Sequence, residues 1–187
     1  WGSITSLLTP TGIQVTEDGI VYASTSGGLL KFNPDTEEFN FIKTKEGLVY
    51  LDLASIATDS QGRLWLGGAY PRGYLQVYDP QKGLVQKITH LEITKIDHIV
   101  FDGDVAFAVY EGVTSSDIGI LEFKLDKDGL PDYQDYYINF SDETITEIRD
   151  LELFQDGIYV TTDLGVYSGN YKEGSLKNSQ NWMRVSN

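Results

Sequence analysis

A short turn in which glycine follows an acidic or amide residue returns four times along this chain. Each copy leads into a strand-like run with an aromatic near its middle. The copies are Asp18-Gly19-Ile20-Val21-Tyr22, Gln61-Gly62-Arg63-Leu64-Trp65, Asp102-Gly103-Asp104-Val105-Ala106-Phe107 and Asp156-Gly157-Ile158-Tyr159. Between the aromatics Tyr22, Trp65, Phe107 and Tyr159 the steps are 43, 42 and 52 residues. A period of this size means stacked supersecondary units that bury their faces against their neighbours. Helix-pair solenoids share the period but need an apolar pattern of 3.6 residues. The alternation here has period two, as in Leu75-Gln76-Val77-Tyr78 and Ile13-Gln14-Val15. An aromatic content of 12%, with 12 tyrosines, suits strands over helices.

The expected fold is therefore all-β: a β-propeller seen as four consecutive four-stranded blades. Blade 1 is predicted over 13–43, blade 2 over 53–88, blade 3 over 96–140 and blade 4 over 150–186, within one propeller segment spanning 1–187. Strands A to D of each blade follow one another as hairpins. The glycine turns close A to B, where positive φ costs glycine little. Asn33-Pro34-Asp35, Asp79-Pro80-Gln81, Asp126-Lys127-Asp128-Gly129 and Asn170-Tyr171-Lys172 close C to D, with strand D of blade 3 expected over 135–140. Blade 4 carries its own outer strand around Trp182-Met183-Arg184-Val185, and Trp1-Gly2-Ser3-Ile4-Thr5 resembles it. Residues 1–6 are accordingly predicted as the outer strand of a closing blade, and the four blades as part of a larger ring of six to eight. A closed four-bladed ring is the competing reading.

The formal charge of −14 argues against nucleic acid, whose phosphates need a basic stripe, and against an anionic membrane surface. No run of 18 apolar residues occurs, so no membrane insertion by this segment is expected. The chain has no cysteine, which removes disulfides and thiolate metal sites. It opens on Trp1, as a cleaved signal peptide or a trimmed chain would.

The B–C connections differ most between copies. From the aromatic to the glycine opening strand C the distances are 6, 8, 12 and 6 residues. Variable loops on a fixed scaffold are where binding usually sits. In blade 2, Ala69-Tyr70-Pro71-Arg72-Gly73 offers an aromatic plate, Tyr70, beside a planar cation, Arg72, a pair suited to a sugar or a carboxylate. In blade 3 the connection Tyr110 to Asp117 adds Tyr110 and Glu111. His98, in Ile96-Asp97-His98-Ile99-Val100, either lines the channel or is a satisfied core histidine. Strict alternation would put it on one face with Ile96 and Val100. These five, Tyr70, Arg72, Tyr110, Glu111 and His98, are the candidate ligand-binding residues.

No catalytic residue, metal site or cofactor is predicted. The two histidines supply no set of three converging ligands. Asp126 to Asp132 is read as an Asx-rich turn, because a calcium loop of the EF type would need a ligand where Leu130 sits. Asp59-Ser60-Gln61-Gly62 does not fit the sialidase Asp box, and four arginines are too few for its carboxylate clamp. A propeller lyase or glycosidase stays open as the alternative, using carboxylates among Glu46, Asp52, Asp97, Glu111 and Asp150 at the channel mouth. A purely structural or adhesive domain is the third reading.

The second repeat reads Ser55-Ile56-Ala57-Thr58-Asp59-Ser60-Gln61-Gly62-Arg63-Leu64-Trp65-Leu66-Gly67-Gly68, then Gly73-Tyr74-Leu75-Gln76-Val77-Tyr78-Asp79-Pro80. It resembles the two-component-regulator propeller repeat. The first repeat matches in Asp18 to Thr25 and Gly28-Leu29-Leu30-Lys31-Phe32-Asn33, and the fourth in Asp156 to Thr162 and Gly165-Val166-Tyr167. The third departs, with Phe107 in place of Trp or Tyr. The resemblance implies a bacterial recognition module, periplasmic or extracellular and non-enzymatic, of the kind found in two-component sensors and in surface proteins of the type IX secretion pathway. The implied partner is a glycan or other small ligand, or a protein.

Overall fold

The computed structural model describes residues 9–90, 92–114 and 117–186, and the strand expected over Trp1–Ser6 lies outside them. Sixteen strands form four sheets among these residues, with no α-helix. The first sheet holds β1 (Pro10–Val15), β2 (Val21–Thr25), β3 (Gly28–Asn33) and β4 (Glu38–Ile42). The second holds β5 (Leu53–Thr58), β6 (Leu64–Gly68), β7 (Tyr74–Asp79) and β8 (Gly83–Thr89). The third holds β9 (Ile93–Asp102), β10 (Val105–Gly112), β11 (Ile118–Leu125) and β12 (Pro131–Tyr137). The fourth holds β13 (Ile148–Phe154), β14 (Gly157–Thr162), β15 (Gly165–Asn170) and β16 (Trp182–Ser186). In every sheet the spatial order is the chain order, the meander of a propeller blade.

The A–B turns follow glycine chemistry in three blades: Gly19, Gly62 and Gly103 have φ of 79°, 74° and 58°. In the fourth the positive φ falls on Gln155, at 55°, and Gly157 opens the strand instead. Strand D of blade 3 begins at Pro131, four residues before the expected start, because the Asp126 turn closes at once: Asp126 N–H donates to Leu130 O at 2.8 Å.

The chain divides into two compact units, 1–97 and 98–187, the division falling within β9. The core of the first unit lies between its two leading sheets. Tyr22, Leu29 and Ile42 from blade 1 meet Leu53, Ile56, Leu64, Leu66, Tyr74 and Tyr78 from blade 2. The segment joining the blades contributes Leu48, and Gln76 ties it down, donating to Tyr50 O at 2.8 Å and accepting from Val49 N–H at 3.2 Å. The glycines of the Leu-Trp-Leu-Gly-Gly run are steric. A Cβ on Gly67 would collide with Ser55 Oγ and Ile96 O, and one on Gly68 with the Tyr74 ring.

Blade 2 also buries an ion pair. Asp59 accepts from Arg63 Nε at 2.8 Å, Trp65 Nε1 at 3.0 Å and the amides of Gln61 and Arg63 at 2.9 and 3.0 Å. The Asp59 carboxylate thus organises the A–B turn and fixes Trp65, work inside the blade that leaves no acid facing outward. Each bond compensates the desolvation of the charge.

In the second unit Phe107, Val109, Ile118 and Ile120 of blade 3 pack on Leu151, Ile158, Val160, Tyr167 and Trp182 of blade 4, with Phe140 and Ile145 from the joining segment. Of the four repeat aromatics, Tyr22, Trp65 and Phe107 are buried. Tyr159 is only half-buried, since its row of blade 4 faces away from blade 3. At the turns, Tyr171 Oη donates to Asp102 Oδ2 at 2.7 Å, and Lys172 bridges Asp102 and Asp156 at 3.1 and 3.0 Å. The Tyr171 hydrogen bond, then Lys172, hold the Asp102 carboxyl below its usual range.

Candidate functional site

The loop joining β6 to β7 holds Tyr70 and Arg72, both exposed, Tyr70 to 74%. Its base is rigid. Gly73 N–H donates to Ile93 O at 3.0 Å, and a Cβ on Gly73 would stand 2.8 Å from the Lys95 amide. The loop therefore lifts an aromatic plate and a guanidinium off one of the most buried blades. Buried strands on either side explain why so few residues suffice to present them.

The candidates of blade 3 are placed differently from expectation. Tyr110 and Glu111 are strand residues, paired with Gly119 and Ile118, because β10 runs on to Gly112. As neighbours on a strand they point to opposite faces. Tyr110 is half-buried with its ring against Gly119, where a Cβ would come within 2.9 Å of it, and burial pushes its phenol up to about 12. Glu111 is exposed. β10 ends at Gly112 and β11 begins at Ile118, and Gly112 N–H donates to Asp117 O between them.

His98 does not alternate with Ile96 and Val100. The buried residues of β9 are Ile96 and Ile99, three apart, and His98 lies between them at φ 40°. This spacing marks an inserted residue, a β-bulge. The other first strands show the same irregularity one step in, between Pro10 and Gly12, Leu53 and Ser55, and Ile148 and Asp150. Each of these three irregularities leaves one residue out of the ladder: Thr11, Ala54 and Arg149.

Within the first unit Thr11 Oγ1 donates to Leu53 O at 2.9 Å, and Lys95 pairs with Asp97 at 2.5 Å. Within the second, His98 Nε2 lies 4.0 Å from Asp150 Oδ1, which accepts the Leu151 amide at 2.9 Å. Arg149 Nε donates to Glu147 Oε2 at 2.9 Å. Thr146 Oγ1 donates to Asp163 Oδ2 at 2.6 Å, a bond that lowers the Asp163 pKa. Sequence reasoning overlooked Arg149 in this group. The signal that would have found it is the apolar spacing of three, Ile148 to Leu151, repeated in Leu53 to Ile56 and Ile96 to Ile99.

The chemistry on offer is hydrogen bonding and charge. Of the carboxylates considered for an enzyme, Glu46 accepts the Lys43 amide at 2.9 Å and caps a 3-10 turn, while Asp97 is held by Lys95. Glu46, Asp52 and Asp97 belong to the first unit, Glu111 and Asp150 to the second. Tyr70 and Arg72 share one loop of the first unit, and Tyr110, Glu111 and His98 belong to the second. No group of three or more His, Asp or Glu side chains among the described residues is arranged to hold a metal ion. The Asp126 carboxylate accepts the Asp128 and Leu130 amides, both at 2.8 Å, as an Asx turn does.

The meander, the repeated bulge and the face-to-face cores decide the architecture. The chain is a run of four propeller blades. Solved structures agree. It superposes on PorZ, an essential bacterial surface component of the type IX secretion system of Porphyromonas gingivalis, with TM-score 0.69 and 14% identity over 100% of this chain and 24% of that one. It superposes on the extracellular domain of a one-component system of B. thetaiotaomicron with TM-score 0.66 and 12% identity, over 99% of this chain and 23% of that one. The extracellular domain of a hybrid two-component system of the same organism gives TM-score 0.65 and 15% identity, over 99% and 23%. These are the two groups that the repeat resembles, and at such identity the likeness is one of fold. The chain spans about a quarter of the length of each. No family model matches the sequence, and no curated protein matches it. Among the described residues no helix is long and apolar enough to cross a membrane.

Proposed function

We propose that this propeller segment belongs to an extracytoplasmic recognition module, periplasmic or extracellular, that binds a glycan or other small ligand without covalent chemistry. The observation that carries the reading is the Tyr70–Arg72 loop: an aromatic ring left 74% exposed close in sequence to an exposed guanidinium, between two buried strands. A planar ring face takes the apolar face of a sugar, and a guanidinium takes its carboxylate or hydroxyls in a forked geometry. The location is supported by the company the fold keeps, extracellular sensor domains and a secretion-system surface component. The fold likeness to that surface component supports a protein partner as the second reading.

Calorimetric titration of the chain with a panel of neutral and uronic-acid oligosaccharides tests this. Binding by at least one panel member, weakened at least tenfold in Tyr70→Ala/Arg72→Ala with Tm unchanged, is the expected result. A double variant that binds as the parent does, or a panel that yields no ligand, removes the reading.

A further inference from the structure

We infer, resting on the reading of the Tyr70–Arg72 loop as the binding site, that its ligand carries one carboxylate: an otherwise neutral glycan with a single uronic acid. The loop differs from its counterparts in a way that releases both side chains. In blades 1 and 4 the turn from strand B to strand C is locked by a threonine. Thr25 Oγ1 donates to Gly28 O at 2.8 Å and accepts the Gly27 amide at 3.1 Å. Thr162 Oγ1 donates to Gly165 O at 2.9 Å and accepts the Leu164 amide at 3.1 Å. Counting from the strand-B aromatic, Gly68 takes the place of these threonines in blade 2. Glycine has no hydroxyl to close the turn, and a Cβ there would collide with the Tyr74 ring. The chain instead runs on through Tyr70 and Arg72 and is caught again at Gly73, whose amide donates to Ile93 O.

The partners of the arginines single out Arg72. Arg63 pairs with Asp59 at 2.7 Å, Arg149 with Glu147 at 2.9 Å and Arg184 with Glu143 at 3.8 Å. Among the described residues the Arg72 guanidinium has no ion pair, hydrogen bond or ring contact, and the Tyr70 side chain has none either. The chain has 28 acids to 14 bases, so carboxylates are not in short supply. The anchored loop holds this guanidinium clear of them. The backbone packed on the anchor, that of Lys95, adds no second free cation, because Lys95 pairs with Asp97 at 2.5 Å.

A guanidinium kept open in this way presents its N–H groups as a fork that matches one planar carboxylate. The Tyr70 ring takes the apolar face of a sugar. One guanidinium compensates one charge. Further carboxylates on the same ligand would meet the field of a chain with net charge −14, which reaches about 30 Å at about 10 mM salt. The loop therefore favours a glycan with one acid over a neutral glycan and over a polyuronate.

Calorimetric titration at about 10 mM salt compares three matched trisaccharides on each of glucose, galactose and mannose backbones. One carries a single terminal uronic acid, the second is its methyl ester, and the third has a uronic acid at every position. The single acid should bind at least fivefold tighter than its ester and at least threefold tighter than the all-acid form. Arg72→Ala, with Tm unchanged, should bring the acid down to the affinity of the ester, while Tyr70→Ala weakens both alike. Equal binding of acid and ester, both weakened by Tyr70→Ala, overturns the proposal and leaves the loop as the site. A preference for the acid that survives Arg72→Ala overturns it too, as does tightest binding by the all-acid form. No binding by any member removes the proposal together with the reading beneath it.

Discussion

Ile13 and Ile56 stand at the same place in two copies of one repeat, one step past the same bulge. Yet one is open to solvent and the other is in the core. Their local sequences would assign both to a buried sheet face. The difference lies in what packs on them, since blade 2 has blade 1 over its first-strand row and the described residues leave blade 1's row open. In a repeat fold, burial is a property of neighbours and not of the repeat alone.

The sharpest way to break this comparison is to place a charge at each position in turn. Ile56→Asp puts an unpaired carboxylate beside Leu66 in the core between blades 1 and 2 and should cost about 4 kcal/mol or more, enough to unfold the unit. Ile13→Asp should change stability by no more than about 0.5 kcal/mol. Urea unfolding followed by tryptophan fluorescence measures both.

A smaller effect is expected where blade 2 differs from blade 1 in its A–B turn. Asp59→Ala removes the carboxylate that accepts from the Arg63 guanidinium, 6% exposed, and the Trp65 indole, and should cost about 3 kcal/mol. In blade 1 the turn is exposed, Thr16 Oγ1 donating to Asp18 at 2.5 Å, and Asp18→Ala should cost under about 1 kcal/mol.

Next comes the alkaline limb of stability. Burial, aided by nearby Asp18, raises the Tyr22 phenol from 10.0 to about 12. A raised phenol keeps its proton in the folded chain while the unfolded chain loses it. Stability is therefore intact below about pH 10 and declines as pH rises towards 12. Melting temperatures across pH 9–12 should fall, and Tyr22→Phe should flatten part of the fall. The smallest effect concerns the Asp126 turn, whose carboxylate is occupied by backbone amides. Calcium at millimolar concentration should shift Tm by less than about 1 °C, and a shift of several degrees would show a calcium site.

How much of this was legible in the sequence depends on the residue. The four meanders were, because glycine and Asx turns punctuate period-two runs and each hairpin has local causes. The bulges are legible too, in the apolar spacing of three, whereas strict alternation would set His98 beside Ile96 and Val100. The B–C connection of blade 3 is shorter than its glycine spacing implies, since Tyr110 and Glu111 extend a ladder whose partners, Gly119 and Ile118, sit nine and seven residues on. Length between glycines does not report where pairing stops. For Tyr159, identical repeat position did not bring burial, for the reason that separates Ile13 from Ile56.

Hydroxyl-radical footprinting of residues 1–187, read by mass spectrometry, tests the central claim most directly because it reports side-chain exposure without substitution. Phe39 and Phe41, on the open row, should be oxidised at least tenfold faster than Phe107 and Phe123, which are 0% and 2% exposed. Similar rates for the four phenylalanines would contradict the account, since blade 1 would then have no open face and the repeat would not divide as described.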